Sequence, residues 1–181
     1  MFDSGSPYGR GPGHLIQTPQ PEDSTAWCWL MRRDLLQTIA PTAWPAALSL
    51  LEFSPELAPQ VHALLVLGYQ QGEGSVPDYE DWHKAFATDP EFDPSLCFIA
   101  ADEYGVVGVV LCWTSAFIKD LVVDPRARRQ GFARALLNHA FEAFRVRGEA
   151  CVDLKVMDNN HDARRLYETS GMRYVQRFTV D

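Results

Sequence analysis

The chain has 181 residues, 46% hydrophobic and 22% charged, with a formal net charge of −8. That length suits one domain with a substantial core and some excess. The acidic balance argues against a general nucleic-acid binder, which needs a basic surface, and no apolar run approaches the ~18 residues of a membrane-spanning helix.

Met1-Phe2-Asp3-Ser4-Gly5 lacks the basic start and apolar centre of a secretory signal. Cys28, Cys97, Cys112 and Cys151 are scattered without a C-x-x-C pair, and the five histidines show no metal-ligand spacing. Free, buried thiols in a reducing cytoplasm are the expectation, with no metal, no membrane partner and no nucleic-acid partner. Charge is unevenly spread. Between Gly72 and Glu103 stand nine acids and one base, Lys84, a balance equal to that of the whole chain. Such a cluster either attracts a cationic partner or solubilises a loop face.

Residues 1 to about 25 are rich in Gly, Pro, Ser and Thr and read as a flexible arm, in which His14–Thr18 could add a short strand. Ala26–Met31 and Arg32–Leu36 carry Trp27 and Trp29 and are too apolar for a free tail. This segment is expected to pack on the domain or on a partner subunit, which leaves a homodimer open; its pattern does not choose between strand and helix. Residues 1–46 thus form an N-terminal extension, and 47–181 the main domain.

From Ala47 the pattern becomes legible. Leu48–Phe53 reads as a strand, and Ser54-Pro55-Glu56 as a helix start with a capping serine, proline at the first position and an early acid. Leu57, Val61, Leu64 and Leu65 form that helix's buried stripe. Asp78–Ala87 reads as a second helix with Tyr79, Trp82 and Phe86 on one side. Leu96–Ala101 and Val106–Trp113 form a hairpin turning at Asp102-Glu103-Tyr104-Gly105. Phe117–Val123 is the next strand, stopped by Asp124-Pro125.

The stretch Arg128-Arg129-Gln130-Gly131 then opens directly into a helix whose apolar residues fall at 132, 133, 136, 137, 140, 141 and 144, with Gly148 as its stop. Free N–H groups and the positive helix end meet there. Gly131 has no side chain to keep an anion at a distance, and Ala133 has little, so the combination is a phosphate cradle. Arg126, Arg128, Arg129 and Arg134 add charge. A strand at Cys151–Met157 leads to a short helix capped by Asn159 or Asn160, with Ala163, Leu166 and Tyr167 inward and Gly171 at its end. Arg173–Val180 is the last strand. The order from residue 47 is β-α-α-β-β-β-α-β-α-β.

Two motifs in this order, Arg128-x-x-Gly131-x-Ala133 and Asn160-x-x-Ala163-x-x-Leu166-Tyr167-x-x-x-Gly171, resemble the GNAT superfamily of acyl-CoA-dependent N-acetyltransferases over roughly residues 47–181. The resemblance implies an α/β (α+β) fold, with a mixed, twisted central sheet and helices on both faces. It also implies acetyl-CoA (coenzyme A) as co-substrate. Leu121, Val122 and Val123 would bind the pantetheine arm through their main chain, and Arg128, Arg129, Gln130, Gly131, Phe132, Ala133 and Arg134 would hold the pyrophosphate. Asn160, Ala163 and Tyr167 would line the opposite side. Many family members carry a further C-terminal strand, and the segment around residues 14–36 could occupy that edge here.

Tyr167 is the expected general acid, since the family's tyrosine lies near the thioester sulfur and a tyrosine of ordinary pKa, about 10, is protonated at neutral pH. The general base is open. Asp120 is slightly preferred, Asp153 is an alternative, and Glu73, Asp78 and Glu80 belong to the segment that lines the acceptor site in this fold. The expected function is direct acetyl transfer to a primary amine of a small molecule or peptide. The alternative is a degenerate GNAT domain that binds acyl-CoA as a sensor or interaction module.

Overall fold

The computed structural model describes residues 26–46, 48–70 and 75–180. The expected strand at His14–Thr18, and Glu73, lie outside them. The strands are β1 (Ala26–Asp34), β2 (Ser49–Glu52), β3 (Phe92–Asp102), β4 (Gly105–Trp113), β5 (Phe117–Val123), β6 (Cys151–Met157) and β7 (Arg173–Val180). The helices are α1 (Ala58–Tyr69), α2 (Tyr79–Ala87), α3 (Phe132–Val146) and α4 (His161–Thr169), with a 3-10 turn at Pro125–Ala127. Among the described residues the strands form one sheet in the order β2-β3-β4-β5-β6-β1-β7. Every neighbouring pair is antiparallel except β5 and β6, which run parallel.

Two cores cover the two faces of this mixed sheet. On one, α3 buries Leu136, Leu137, Ala140, Phe141 and Phe144 against Val110, Ile118 and Leu154. On the other, α1 contributes Val61, Leu64 and Leu65, and α2 contributes Trp82 and Phe86, against Ile99, Val109 and Leu111. At nine residues α2 is too short to persist alone. Asp78 caps it by accepting from the Asp81 N–H, Trp82 stacks on Phe86 at 5.3 Å, and each buried ring contributes about 2–3 kcal/mol.

The element order from β2 onward follows the sequence expectation, with two differences. The first concerns the N-terminal segment, expected at a sheet edge. Its described part, β1, lies inside the sheet, antiparallel to β6 on one side and β7 on the other. Trp29, Met31 and Arg33 enter the layer beneath α3 and α4, so residues 26–46 share the main domain's sheet and core. A strand bonded on both sides needs partners at least 117 residues away, as in Asp34↔Cys151, and no local pattern encodes them. The second concerns α1. Ser54 does not cap it; residues 54–57 form a turn, with the Leu57 N–H donating to the Ser54 carbonyl at 3.0 Å. The helix begins at Ala58 with Pro59 in its first positions, where no N–H is needed.

One irregularity shapes everything that follows. β5 and β6 are paired only at Phe117↔Asp153 and Ile118↔Leu154. Beyond them the strands diverge, while β5 stays bonded to β4 through Val123. The sheet therefore opens into a wedge, closed at Ile118 and wide toward the start of α3.

Candidate active site

The wedge is the mouth of a cleft of about 1020 Å³. Its walls are Leu121, Val122 and Val123 of β5, Lys155 and Met157 of β6, the loop carrying Arg128, Arg129 and Gly131, and the α4 residues Asn160, Ala163 and Tyr167. Among the described residues, the edge of β5 that faces β6 has no strand partner at residues 121–123, so main-chain groups border the cleft.

At the wide end the backbone leaves the start of a helix open. Gly131 is the N-cap residue of α3 at φ +86°, and no side chain caps the helix. The first-turn N–H groups are therefore left for a ligand. A Cβ at Gly131 would meet nothing within 4 Å among the described residues, which leaves space in front of the helix end. Arg129 adopts φ +62°, which keeps the loop tight. Arg128 and Arg129 line the cleft as expected, but two of their neighbours behave differently. The Gln130 amide donates to the Arg126 carbonyl at 3.4 Å and does not line the cleft. Arg126 turns away to Asp102, at 2.7 Å, and holds that carboxyl below its ordinary range. Both face a separate hollow of about 380 Å³. Arg134 borders the cleft while donating to the Thr169 carbonyl and hydroxyl, at 3.0 and 2.7 Å, which ties α3 to the end of α4.

On the far wall, Asn160 is the N-cap of α4, its Oδ1 accepting from the Ala163 N–H at 3.0 Å. Tyr167 is buried and reaches the cleft between α4 and the core. Gly171, at φ +84°, ends the helix, and its carbonyl accepts from Arg33 Nη1 at 3.2 Å. Asp158 takes the Trp29 indole N–H at 2.7 Å together with Arg177 and Arg164, and these donors hold its carboxyl below the usual value. The N-terminal strand thus anchors both ends of the wall that carries Asn160 and Tyr167.

The closed end is built from side chains. The β4–β5 register slips between Leu111↔Asp120 and Cys112↔Ile118, a bulge that leaves Lys119 without a partner. Lys119 and Asp120 consequently fall on the same side, facing α1. Asp120 is 6% exposed, accepts from the Tyr69 hydroxyl at 2.6 Å, and pairs with Lys119 at 2.7 Å. Asp120 itself does not line the cleft, whereas Tyr69 and Lys119 do. α1 approaches β5 closely here: a Cβ on Gly68 would lie 2.4 Å from Val122 Cγ1. Tyr69 was not singled out from sequence, because nothing local says that the last residue of α1 reaches β5.

The remaining candidates are dispersed. Asp78 is the α2 cap, Glu80 is exposed in the first turn of α2, and neither lines the cleft. Asp153 is held by Arg32 through two bonds of 2.7 Å. The four cysteines carry free thiols, with burial pushing Cys97 up to about 12. Among the described residues, no three His, Cys, Asp or Glu side chains are grouped to hold a metal ion. Nor is any helix among them long and apolar enough to cross a membrane.

Comparison with known proteins agrees with this geometry. The model of the Acetyltransferase (GNAT) family matches residues 58–172. Over 90 residues the chain is 37% identical to mycothiol acetyltransferase of Beutenbergia cavernae, covering 46% of this chain and 30% of that protein. Over 68 residues it is 38% identical to the [ribosomal protein bS18]-alanine N-acetyltransferase of Escherichia coli, covering 38% and 45%. The crystal structure of a GCN5-related N-acetyltransferase from Sphaerobacter thermophilus superposes with a TM-score of 0.73 at 25% identity, over 86% of this chain and half of that one. The chain therefore spans half or less of these relatives' length. With the family model covering most of its domain and the cleft built as described, the chain belongs to the GNAT acetyltransferase family.

Proposed function

We propose that the chain is an acyltransferase that moves the acetyl group of acetyl-CoA to a primary amine by direct transfer. The observation that carries this reading is the wedge itself. An unpaired strand edge runs from an uncapped helix N-terminus with room for phosphate to a buried tyrosine on one side and a buried carboxylate on the other. The residues of the cleft fit the coenzyme: the first-turn N–H groups of α3 with Arg128 and Arg129 would hold its pyrophosphate, and the β5 edge with Asn160 its pantetheine arm. When bound, the coenzyme supplies a thioester whose carbonyl carbon an amine can attack.

The chain's own groups then manage protons. A protonated amine must lose one before it attacks. Tyr69 lies between the cleft and Asp120 and donates to Asp120 Oδ1. Its oxygen can therefore take a proton from the ammonium while its own passes to the carboxylate. Asp120 acts as base through Tyr69, consistent with its absence from the cleft wall. Tyr167 supplies a proton to the departing thiolate, and a main-chain N–H of β5 stabilises the oxyanion. The two relatives named above include one acting on a small molecule and one on a protein alanine, and both kinds of amine suit an open cleft. A cytoplasmic setting matches the four free thiols.

Calorimetric titration with acetyl-CoA tests the reading. Binding in the micromolar range is expected for the wild type, weakened at least about a hundredfold by Gly131→Glu, which puts a carboxylate where the phosphate belongs. An unresponsive wild type would overturn the assignment.

A further inference from the structure

We propose that the amine acceptor carries a carboxylate on the same skeleton, held at the closed end of the cleft by Lys155 with help from Lys119. This rests on the transferase reading above and names its substrate class.

The cleft is strongly basic in an acidic protein. Lys119, Arg128, Arg129, Arg134, Lys155 and Arg165 line it, against one acid, Asp162 in the first turn of α4. The arginines sit on the phosphate loop and the helices at the wide end. The lysines do not. Lys119 precedes Val123 by four residues on β5, roughly 13 Å along an extended strand, so a pyrophosphate at the start of α3 does not reach these two charges. They come as a pair because Ile118↔Leu154 is the last parallel rung, and Lys119 and Lys155 are the next residue on each strand. Leu154 points into the core under α3, so Lys155 faces the opposite side, where α1 packs.

Their partners leave net positive charge there. Lys119 is paired with Asp120 and lies 5.8 Å from the centre of the Trp113 ring. Lys155 lies 5.0 Å from the centre of the Phe178 ring and has no ion pair among the described residues. The neighbouring Asp153 is already neutralised by Arg32. The described acids between residues 75 and 103, part of the segment that suggested a cationic acceptor, are not at this end. Asp78 caps α2, Asp93 pairs with Arg147, Asp102 pairs with Arg126, and none of the described acids of that segment lines the cleft. A purely cationic acceptor would meet the Lys155 ammonium, which no carboxylate among the described residues offsets, at a like-charge cost. A zwitterion resolves the pattern, with its amine toward Tyr69 and Asp120 and its carboxylate on Lys155.

The test uses three conjugates in which the coenzyme A sulfur is joined through an acetyl bridge to β-alanine, β-alaninamide or 1,3-diaminopropane. They present a carboxylate, a neutral amide or an ammonium at the same reach, and calorimetry reads their affinities. The carboxylate conjugate is expected to bind about tenfold tighter than the amide, with the ammonium weakest. Lys155→Gln should abolish that preference while free coenzyme A binds both proteins alike. Equal or tighter binding of the amide or ammonium conjugate would overturn the proposal. So would a preference that survives in a Lys119→Gln, Lys155→Gln double variant. Failure of free coenzyme A to bind would instead remove the transferase reading on which the proposal rests.

Discussion

The two ends of the cleft are made of different materials. At the wide end the groups that border it are main-chain amides, presented by the positive φ of Gly131 and the uncapped start of α3. At the closed end they are side chains, Tyr69, Lys119, Asp120 and Lys155, brought together from α1, β5 and β6. Backbone geometry tolerates almost any surrounding sequence so long as the glycine remains. A side-chain constellation changes with a single substitution. A site that must hold one constant carrier can be built the first way, and one that must select among amines is better built the second way.

Perturbing each end should separate these roles. The largest expected effect is structural and lies behind the carrier wall. In Gly171→Ala the new Cβ would sit 1.9 Å from Arg33 Nη1, in a site where Arg33 is 7% exposed and its guanidinium also donates to the Thr38 carbonyl. With the strain of a positive φ added, a loss of about 3 kcal/mol is expected in urea unfolding. A change below about 1 kcal/mol would mean that Arg33 is not fixed.

Tyr69→Phe addresses the closed end. It should lower kcat about a hundredfold, the scale of lost general-base catalysis, with acetyl-CoA affinity unchanged within about twofold. An unaltered kcat would detach Asp120 from the chemistry. Gly68→Ala should do less: the added methyl pushes α1 from Val122 by an ångström or so, and a misplacement on that scale should cost about tenfold in kcat. Acetyl-CoA binding reads whether the shift spreads to the carrier end.

The smallest effect concerns neither end. His139 sits on the side of α3 away from the cleft, its ring 4.5 Å from Phe98 and 5.7 Å from Trp44. Burial lowers its pKa from 6.5, with Glu142 opposing. The unfolded chain therefore binds this proton more readily. The stability from a neutral His139 is complete above pH 6.5 and is lost as pH falls toward the depressed folded value. His139→Leu should flatten that part of the stability profile; an identical slope in both proteins would assign it to another group.

Much of the geometry of the wide end was legible in the sequence because its determinants are local. The bounds of β5, β6 and β7 follow from runs of apolar and β-branched residues. The α3 repeat, the Asn160 cap and the two helix-ending glycines are written within a few residues of where they act. The start of α1 was misplaced because Ser54-Pro55-Glu56 carries a valid capping pattern, yet the chain uses Pro59 one turn later.

By itself, then, the sequence determined the order of elements from β2 to β7, the glycine start of α3 and the family, since each is encoded by short-range pattern. The tertiary structure alone decided three things. It inserted β1 between β6 and β7, it bulged β5 so that Lys119 and Asp120 share a side, and it brought Tyr69 onto Asp120. Each depends on contacts between residues distant in the chain, where no periodicity or cap records which partner will be met.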